Sequence, residues 1–400
     1  MTGRMSIPLP EIFAQIPRHP ILYPHPSPIH PLPTFSSPQN HPATLPRISV
    51  FAKREDHGAP LACAGNKYRK LEYIVPDILS PTPTHHYHEF HPTAQKLDGP
   101  ATVLVTEGAM QSNHTVQVAA LARKLGLKAL VLLNQDAGGG HRASTEKSYF
   151  RRLGNVQITE LLGVEIRRYD KHRAETCDAS PVLAGLRQCG ERPYWIPGGA
   201  SLHPLGGLGY ARAAWEIASQ EAKGPPLGGS GRFDYIFVAC GSGSTVGGLI
   251  AGFKLQEKLR GESAVAPRNV IGVLNSPTKP RPHHEERVLR FARRAGELIG
   301  LDAERDITMD DVQLDDRFVG EAYGVVDPEV NRLLSAMAES EGVILDPVYT
   351  AKVARGMMHW VMSDEMTQYS QKYTLDEVNV LFIHTGGQAA LSAYWDWVPR

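Results

Sequence analysis

Short apolar runs alternate along the chain with stretches whose apolar positions recur at helical spacing. Strands are predicted at ATVLVT (101–106), KALVLL (128–133), VEIRRY (164–169), YIFVAC (235–240), NVIGVL (269–274) and VNVLFIH (378–384). Helical patterns follow most of them, including VQVAALARKLG, ITELLG, VGGLIAGFKLQEKL and EERVLRFARRAGELIG. This alternation predicts an α/β fold with two doubly wound, mostly parallel-sheet domains and a ligand site in the cleft between them.

Two proline- or histidine-rich segments interrupt this pattern. The first fifty residues contain HPILYPHPSPIHPLPTF, where the prolines leave little room for helix, so we expect an extended arm. The segment 80–99, SPTPTHHYHEFHPTAQKLDG, carries four histidines at irregular spacing without an accompanying acidic or thiol cluster. We therefore expect a solvated loop there rather than a metal site.

Composition narrows the class of protein. The 400 residues contain 42 Lys+Arg and 42 Asp+Glu, which gives no electrostatic reason to expect nucleic acid or an anionic membrane as a partner. No apolar run is long enough to span a bilayer, and the first residues lack a secretory signal, so a cytoplasmic location is expected. None of the four cysteines forms a C-x-x-C pair, which argues against structural zinc and a disulfide framework.

One candidate for chemistry is a lysine in AGNKYRKLEY (64–73). Lys67 lies close to Arg69 and Lys70, and cationic neighbours together with desolvation lower the pKa of an amine, as a Schiff-base lysine requires. The neighbouring cations would also suit a carboxylate or phosphate. A lone lysine is more often a solvated surface residue, so this motif is not specific by itself.

Two strand-to-helix junctions are candidate anion sites. TEGAMQSNHT (106–115) places Ser112, Asn113 and His114 at a helix N-terminus, where backbone N–H groups attract anions, although simple helix capping explains the same residues. ACGSGSTVGG (239–248) combines glycines with hydroxyl side chains and favours a phosphate cradle over a tight turn. It matches neither G-x-x-x-x-G-K-[ST] nor G-x-G-x-x-G, so nucleoside triphosphatase and dinucleotide sites are not indicated.

Nine motifs in order resemble one known family. They are KRED, GNKYRKLEY, QSNHT, LGNVQITELLG, IPGGASLHPLGGLGY, GSGST, EAYG, DPVYTAK and HTGGQAAL, and the resemblance runs from about residue 17 to the C-terminus. The chain resembles the 1-aminocyclopropane-1-carboxylate (ACC) deaminase / D-cysteine desulfhydrase group of pyridoxal 5′-phosphate (PLP) enzymes. That group has the tryptophan synthase β-subunit fold, also called fold type II.

The resemblance implies a role for each matching residue. Catalytic roles fall to Lys67, which would carry PLP as a Schiff base, and to Ser112, Tyr323 and Tyr349. The phosphate would lie in the turn formed by Cys240, Gly241, Ser242, Gly243, Ser244 and Thr245. Asn113 would contact the phenolic oxygen of PLP, and Ser112, Asn113 and His114 would bind the substrate carboxylate. Thr350 and Thr385 would lie at the end of the pyridine ring.

We also expect a division of the chain into three parts. Residues 1–60 would form the arm joining the large domain, residues 61–100 and 205–400 the large PLP-binding domain, and residues 101–204 the small α/β domain. The expected partner is a small amino-acid substrate, and the resemblance implies a homodimer.

Two threonines separate the possible reactions. ACC deaminases carry glutamate and leucine where this chain has Thr350 and Thr385, which D-cysteine desulfhydrases share. A carboxylate holds a proton on the pyridine nitrogen and deepens the electron sink, and a threonine hydroxyl does so far less. Ring opening of ACC should need the deeper sink, so β-elimination from D-cysteine to pyruvate, sulfide and ammonia is favoured. Glu107 and Ala64 depart from the family pattern and leave room for a related substrate.

Several alternatives stay open from the sequence. Either the freed Lys67 or a tyrosinate would take the α-proton in the favoured reaction. The nearest rival reaction converts ACC to 2-oxobutyrate and ammonia, and a second rival is PLP-dependent β-replacement. A non-catalytic anion-binding protein on the same fold is the rival from another class.

Overall fold

The computed structural model describes residues 8–36, 46–84, 97–134, 154–169, 179–224, 227–261, 266–276 and 279–394. The four histidines of the 80–99 segment occupy positions 85, 86, 88 and 91, so the part of the predicted loop that contains them, residues 85–96, lies outside the described residues. Among the described residues, no helix is long and apolar enough to cross a membrane. No group of three or more His, Cys, Asp or Glu among them is arranged to hold a metal ion.

Two sheets organise the described chain. The strands are β1 (Ile29–Pro31), β2 (Arg47–Arg54), β3 (Val103–Ala109), β4 (Lys128–Asn134), β5 (Glu165–Tyr169), β6 (Pro193–Ile196), β7 (Tyr235–Cys240), β8 (Asn269–Leu274), β9 (Gln313–Asp315) and β10 (Glu377–His384). The larger sheet has the order β1-β2-β10-β7-β8-β9 and the smaller sheet the order β5-β4-β3-β6. All pairs are parallel except β1 with β2, which confirms the predicted α/β class.

The helices follow the strands as parallel sheets require. They are α1 (Glu11–Ala14), α2 (Asn66–Ile78), α3 (Asn113–Lys124), α4 (Gly154–Leu161), α5 (Ser180–Gln188), α6 (Leu208–Lys223), α7 (Ser244–Arg260), α8 (Arg281–Leu298), α9 (Ala303–Asp306), α10 (Pro328–Glu341), α11 (Thr350–Met362) and α12 (Thr367–Tyr373). The strands of the smaller sheet all fall within residues 101–204, and the exact domain boundaries stay a prediction.

The N-terminal arm contributes two strands that the sequence patterns did not predict. β2 has no proline, and its eight residues pair in parallel with the whole of β10, from Arg47 opposite Glu377 to Arg54 opposite His384. β1 then pairs antiparallel with β2 at the edge of the sheet. The prolines around these strands occupy edge and turn positions, which proline tolerates. Because prolines dominate the composition of the arm, the short apolar run of β2 was not predicted as a strand.

A buried charge network joins the arm to the helices behind the site. The Arg69 guanidinium bonds both Glu55 and Glu216, and Lys53 Nζ donates to Glu216 Oε1 at 2.6 Å. All these side chains are mostly buried, so each charge depends on its partner. Arg69 therefore serves the junction of the arm with α2 and α6 and meets carboxylates of the chain itself rather than a ligand.

Candidate active site

The carboxyl ends of strands from both sheets converge on one cavity of about 610 Å³. Open α/β sheets place their ligands at such strand ends. Its lining includes Asn66, Lys67, Glu107, Gly108, Ala109, Ser112, Asn113, His114, Asn134, Gly198, Gly199, Ala239, Cys240, Gly241, Ser242, Gly243, Thr245, Asn275, Ser276, His284, Arg287, Ala322, Tyr323, Tyr349 and Thr385. The cavity thus contains most of the residues that the sequence motifs singled out.

Lys67 lies at the start of α2, on the wall of the cavity. Its Nζ donates to Asn66 Oδ1 at 3.1 Å. Loss of surrounding water lowers the pKa of Lys67 to about 8, against a weaker opposing attraction from Asp346. The low pKa that the sequence predicted therefore arises from burial and not from the neighbouring cations. A larger neutral fraction near pH 7 makes this amine a better nucleophile than an ordinary surface lysine.

If Lys67 carries PLP, as the family resemblance implies, its pKa predicts how the PLP-free protein takes up that cofactor. Only the neutral amine attacks an aldehyde, and that form becomes dominant as pH rises through 8. The rate of PLP incorporation, followed by visible absorbance between pH 6 and 10, is expected to be half-maximal near pH 8 and then level. A free lysine derivative, whose pKa is near 10.5, serves as the control and should keep accelerating. A midpoint near pH 10 in the protein would contradict the assignment of Lys67.

The glycine turn after β7 forms a cradle for an anion. Gly243 has φ +99°, a conformation that side chains rarely adopt, and no side chain caps the N-terminus of α7 that follows it. The first N–H groups of this 17-residue helix are therefore available to a ligand. Lys70 Nζ lies 2.9 Å from Ser244 Oγ and is fully buried, which lowers its pKa well below the usual range. A phosphate would supply the missing counter-charge.

The members of the turn differ in how they face the cavity. Cys240, Gly241, Ser242, Gly243 and Thr245 line it, whereas Ser244 does not and instead bonds Lys70 and Ser201. The structure therefore adds a lysine, Lys70, to a cradle that the sequence described as having none, and a bound phosphate would hold its amine protonated. The signal was the pair of lysines three residues apart in GNKYRK, since that spacing puts both on one face of a helix.

The junction of β3 with α3 is the second anion site. Ser112 is the N-cap of α3 and accepts a hydrogen bond from the Thr115 N–H at 3.4 Å, so the capping explanation holds while Ser112 also lines the cavity. Asn113 Oδ1 accepts from Asn155 Nδ2 at 3.2 Å. These contacts fix both side chains in the cavity lining at the N-terminus of α3, the end of a helix that attracts anions.

His114 is held as a neutral, buried imidazole. Its Nε2 lies 2.9 Å from Thr106 Oγ1, and the Thr106 hydroxyl donates to the Ile196 carbonyl. Burial, followed by the charges of Lys67 and Lys70, keeps the pKa of His114 well below its usual range. His114 therefore contributes shape and a polar contact to this junction but no charge at neutral pH.

Two tyrosines lie next to each other in the cavity lining. The hydroxyls of Tyr323 and Tyr349 are hydrogen-bonded to each other, and burial raises the pKa of both above the usual range. Both phenols are therefore protonated at neutral pH. This argues against a tyrosinate base and leaves Lys67 as the group suited to take a proton.

The two discriminating threonines occupy different environments. Thr385 follows β10 and lines the cavity, with 6% of its surface exposed. Thr350 does not line the cavity, and its hydroxyl donates to Asp346 Oδ2 at 2.7 Å. A Cβ at Gly387, where φ is +114°, would lie 2.8 Å from Asn113 Nδ2, so the glycine pair after Thr385 allows a close approach between the two sheets.

Asp346 organises this end of the cavity, a role that the sequence patterns did not assign. It is fully buried and accepts hydrogen bonds from the N–H groups of Val348, Tyr349 and Thr350 at 2.8–2.9 Å. These bonds fix the backbone that carries Tyr349 into the cavity. The aspartate that opens DPVYTAK, followed by a helical pattern, was the available signal.

The fold and the lysine-bearing cleft define a class of enzyme. Residues 22–386 match the model of the family described as pyridoxal-phosphate dependent enzyme, and the chain belongs to that family. Within it, the chain is similar to ACC deaminases. The relative from Burkholderia lata is 35% identical over 384 residues, covering 95% of this chain and 97% of that protein, and the relative from Burkholderia multivorans is 36% identical with the same coverage.

Solved structures agree with this assignment. A crystal structure described as an ACC deaminase homologue is 28% identical, covers 97% of both chains and gives a TM-score of 0.70. O-ureido-L-serine synthase is 14% identical, covers 98% of this chain and 97% of its own, and gives a TM-score of 0.55, which shows the fold alone. The chain is therefore a PLP-dependent enzyme of fold type II in the ACC deaminase-like group.

The residues present fit PLP. The cavity combines a nucleophilic lysine of lowered pKa with an uncapped helix N-terminus and with the buried amine of Lys70, whose hydrogen-bond partners among the described residues are two hydroxyls and a carbonyl. Lys67 suits the aldehyde of the cofactor. The turn 241–245 and Lys70 suit its phosphate, which is their chemistry as anion-binding groups.

Proposed function

We propose that this enzyme catalyses β-elimination from a small amino acid, in the manner of D-cysteine desulfhydrase. The products from D-cysteine and water would be pyruvate, hydrogen sulfide and ammonia. PLP supplies the electron withdrawal that makes the α-hydrogen acidic. The chain's own residues bind the substrate, take the α-proton and assist the leaving thiolate.

Each group has a proposed task. The helix N-terminus at Ser112 and Asn113 would hold the substrate carboxylate. Lys67 would take the α-proton, because its pKa of about 8 lets the amine exist in both protonation states near neutral pH. The protonated hydroxyls of Tyr323 and Tyr349 would donate hydrogen bonds to the departing sulfur, which leaves with the electrons of the Cβ–S bond.

One observation carries the choice of elimination. The Asp346 carboxylate lies beside the glycine pair that follows Thr385, and both its oxygens already accept hydrogen bonds from backbone N–H groups or the Thr350 hydroxyl. Asp346 is therefore committed to the backbone and to Thr350, and Thr385 offers a hydroxyl rather than a carboxylate to the pyridine nitrogen. A weak electron sink suffices for a substrate with an α-hydrogen and a good leaving group.

ACC deamination is the second candidate because the curated relatives at 35–36% identity carry that name. The PLP-loaded protein should be given D-cysteine, L-cysteine and ACC in separate reactions, with the 2-oxo acid, sulfide and ammonia identified. We expect pyruvate and sulfide from D-cysteine and no 2-oxobutyrate from ACC. Release of 2-oxobutyrate from ACC would refute the argument from the two threonines, and a new amino acid without free ammonia would indicate β-replacement.

A further inference from the structure

Four polar residues on one wall of the cavity have no task in the proposed elimination. Asn275 and Ser276 follow β8, while His284 and Arg287 lie in the first two turns of α8. All four line the same cavity as Lys67. We refer to them as the β8–α8 cluster.

The β8–α8 cluster contains buried polar atoms without partners. Asn275 is 1% exposed, and neither its Oδ1 nor its Nδ2 forms a hydrogen bond with any described residue. Ser276 Oγ and Arg287 Nε are also buried and form no hydrogen bond with any described residue. A buried polar atom left without a partner destabilises the protein, so a group of such atoms in the lining of one cavity indicates a ligand that completes them.

The cluster is positively charged. Arg287 Nη2 donates to the Gly241 carbonyl at 2.5 Å and to His284 Nδ1 at 2.9 Å, and no carboxylate of the described chain pairs with this guanidinium. Burial and the neighbouring Arg287 lower the pKa of His284 to about 4, so its imidazole is neutral and orients the arginine. Lys352 Nζ stands behind the cluster, 3.4 Å from the Asn275 carbonyl. An anionic ligand matches these donors and this charge.

The geometry of the glycine turn separates this anion from the cofactor phosphate. The phosphate would face the N–H groups at the start of α7, beside Lys70 and the hydroxyl side chains. Arg287 instead contacts the turn through the carbonyl of Gly241. A carbonyl oxygen repels a phosphate, so the side of the turn that Arg287 occupies belongs to a different group.

We infer that the β8–α8 cluster binds a carboxylate on the side chain of the substrate, which makes the substrate class amino acids with an anionic β-substituent. The inference rests on the proposed β-elimination and specifies its leaving group. For an S-carboxymethyl cysteine, the α-proton is removed, the Cβ–S bond breaks, and its electrons leave with sulfur as the thiolate. Addition of water to the remaining three-carbon fragment then gives pyruvate and ammonia, with thioglycolate as the third product.

The test compares S-carboxymethyl cysteine with its neutral isostere S-carbamoylmethyl cysteine, each in D and L form, on the PLP-loaded enzyme. We expect kcat/KM to favour the acid by about tenfold or more, the size of one hydrogen bond to a charged group. Arg287→Gln should bring this ratio close to one, mainly through KM for the acid. Arg290→Gln removes the same charge from an exposed position of α8 and should keep the ratio.

Two further readouts make the outcomes distinct. The affinity for PLP, titrated spectroscopically, should be the same in Arg287→Gln and Arg290→Gln. A ratio of kcat/KM for the acid to kcat/KM for the amide near one in the unaltered enzyme would overturn the inference. It would also be overturned if Arg287→Gln lowered kcat/KM equally for both compounds and weakened PLP binding, because the cluster would then bind the cofactor phosphate. If neither compound yields pyruvate, the proposed elimination is wrong, and the inference is then tested by binding alone. The dissociation constants of the acid and the amide are measured from the change in cofactor absorbance, and tighter binding of the acid supports the inference while equal binding overturns it.

Discussion

Replacing Lys67 with alanine is expected to lower turnover by about 10³-fold or more, because the same amine is assigned to cofactor attachment and to proton removal. The variant should also lose the covalent bond to PLP. Borohydride reduction followed by peptide mapping would show the cofactor on the peptide containing Lys67 in the unaltered enzyme and on no peptide in the variant. Absorbance would show whether PLP still binds without that bond.

Lys70→Ala provides the matched control for this result. Lys70 lies one helical turn further along α2 and donates to the phosphate turn at Ser244 rather than reaching the centre of the cavity. Its removal should weaken the affinity for PLP while the cofactor remains attached to Lys67. A Lys67→Ala enzyme with turnover within tenfold of the unaltered enzyme would rule out the assigned roles of this lysine.

Replacing Asp346 with alanine is expected to destabilise the protein by about 3–5 kcal/mol, because three backbone N–H groups and the Thr350 hydroxyl lose their acceptor in a buried site. The loss is measured as a fall in the midpoint of urea unfolding. Activity should fall as well, since Tyr349 loses the bond that fixes its backbone. Asp346→Asn keeps one acceptor oxygen and should lie between the two proteins.

Asp327→Ala tests whether burial sets the size of this effect. Asp327 is also a helix N-cap and accepts from the N–H groups of Glu329 and Val330, but its side chain is 36% exposed. Water can replace it, so a loss of about 1 kcal/mol is expected. Equal losses for the two aspartates would contradict the account of Asp346 as a buried organiser of the site.

The parts of the site that were predictable from sequence lie in short motifs, and two of these motifs directly follow a strand. Lys67, Ser112 and the glycine turn each stand in a short motif that combines a conformational requirement with a chemical group. The six predicted strands were found in place, with ends displaced by up to three residues. The order of strands and helices predicted a cleft between two sheets, and the family resemblance of the motifs predicted which residues lie in it.

The features that were not predicted depend on tertiary packing, which the spacing of residues along the sequence does not show. Arg287 and His284 lie in a helix crowded with arginine and histidine, where nothing in the pattern separates an inward side chain from a solvated one. Thr350 was expected in the cleft, but its hydroxyl turns to Asp346 instead. Strand β2 was not predicted because the prolines on either side of it dominate the local composition.

The pairing of β2 with β10 has a consequence for synthesis of the protein. Arg47 and Glu377 are partners in neighbouring strands although they are 330 residues apart in sequence. A nascent chain can assemble the smaller sheet early, because its four strands are close in sequence, whereas the central strand of the larger sheet emerges last. Loop closure over that separation is slow, and until it occurs β2 has an unpaired edge open to other chains. The nascent enzyme should therefore depend on chaperones until its C-terminal strand has left the ribosome.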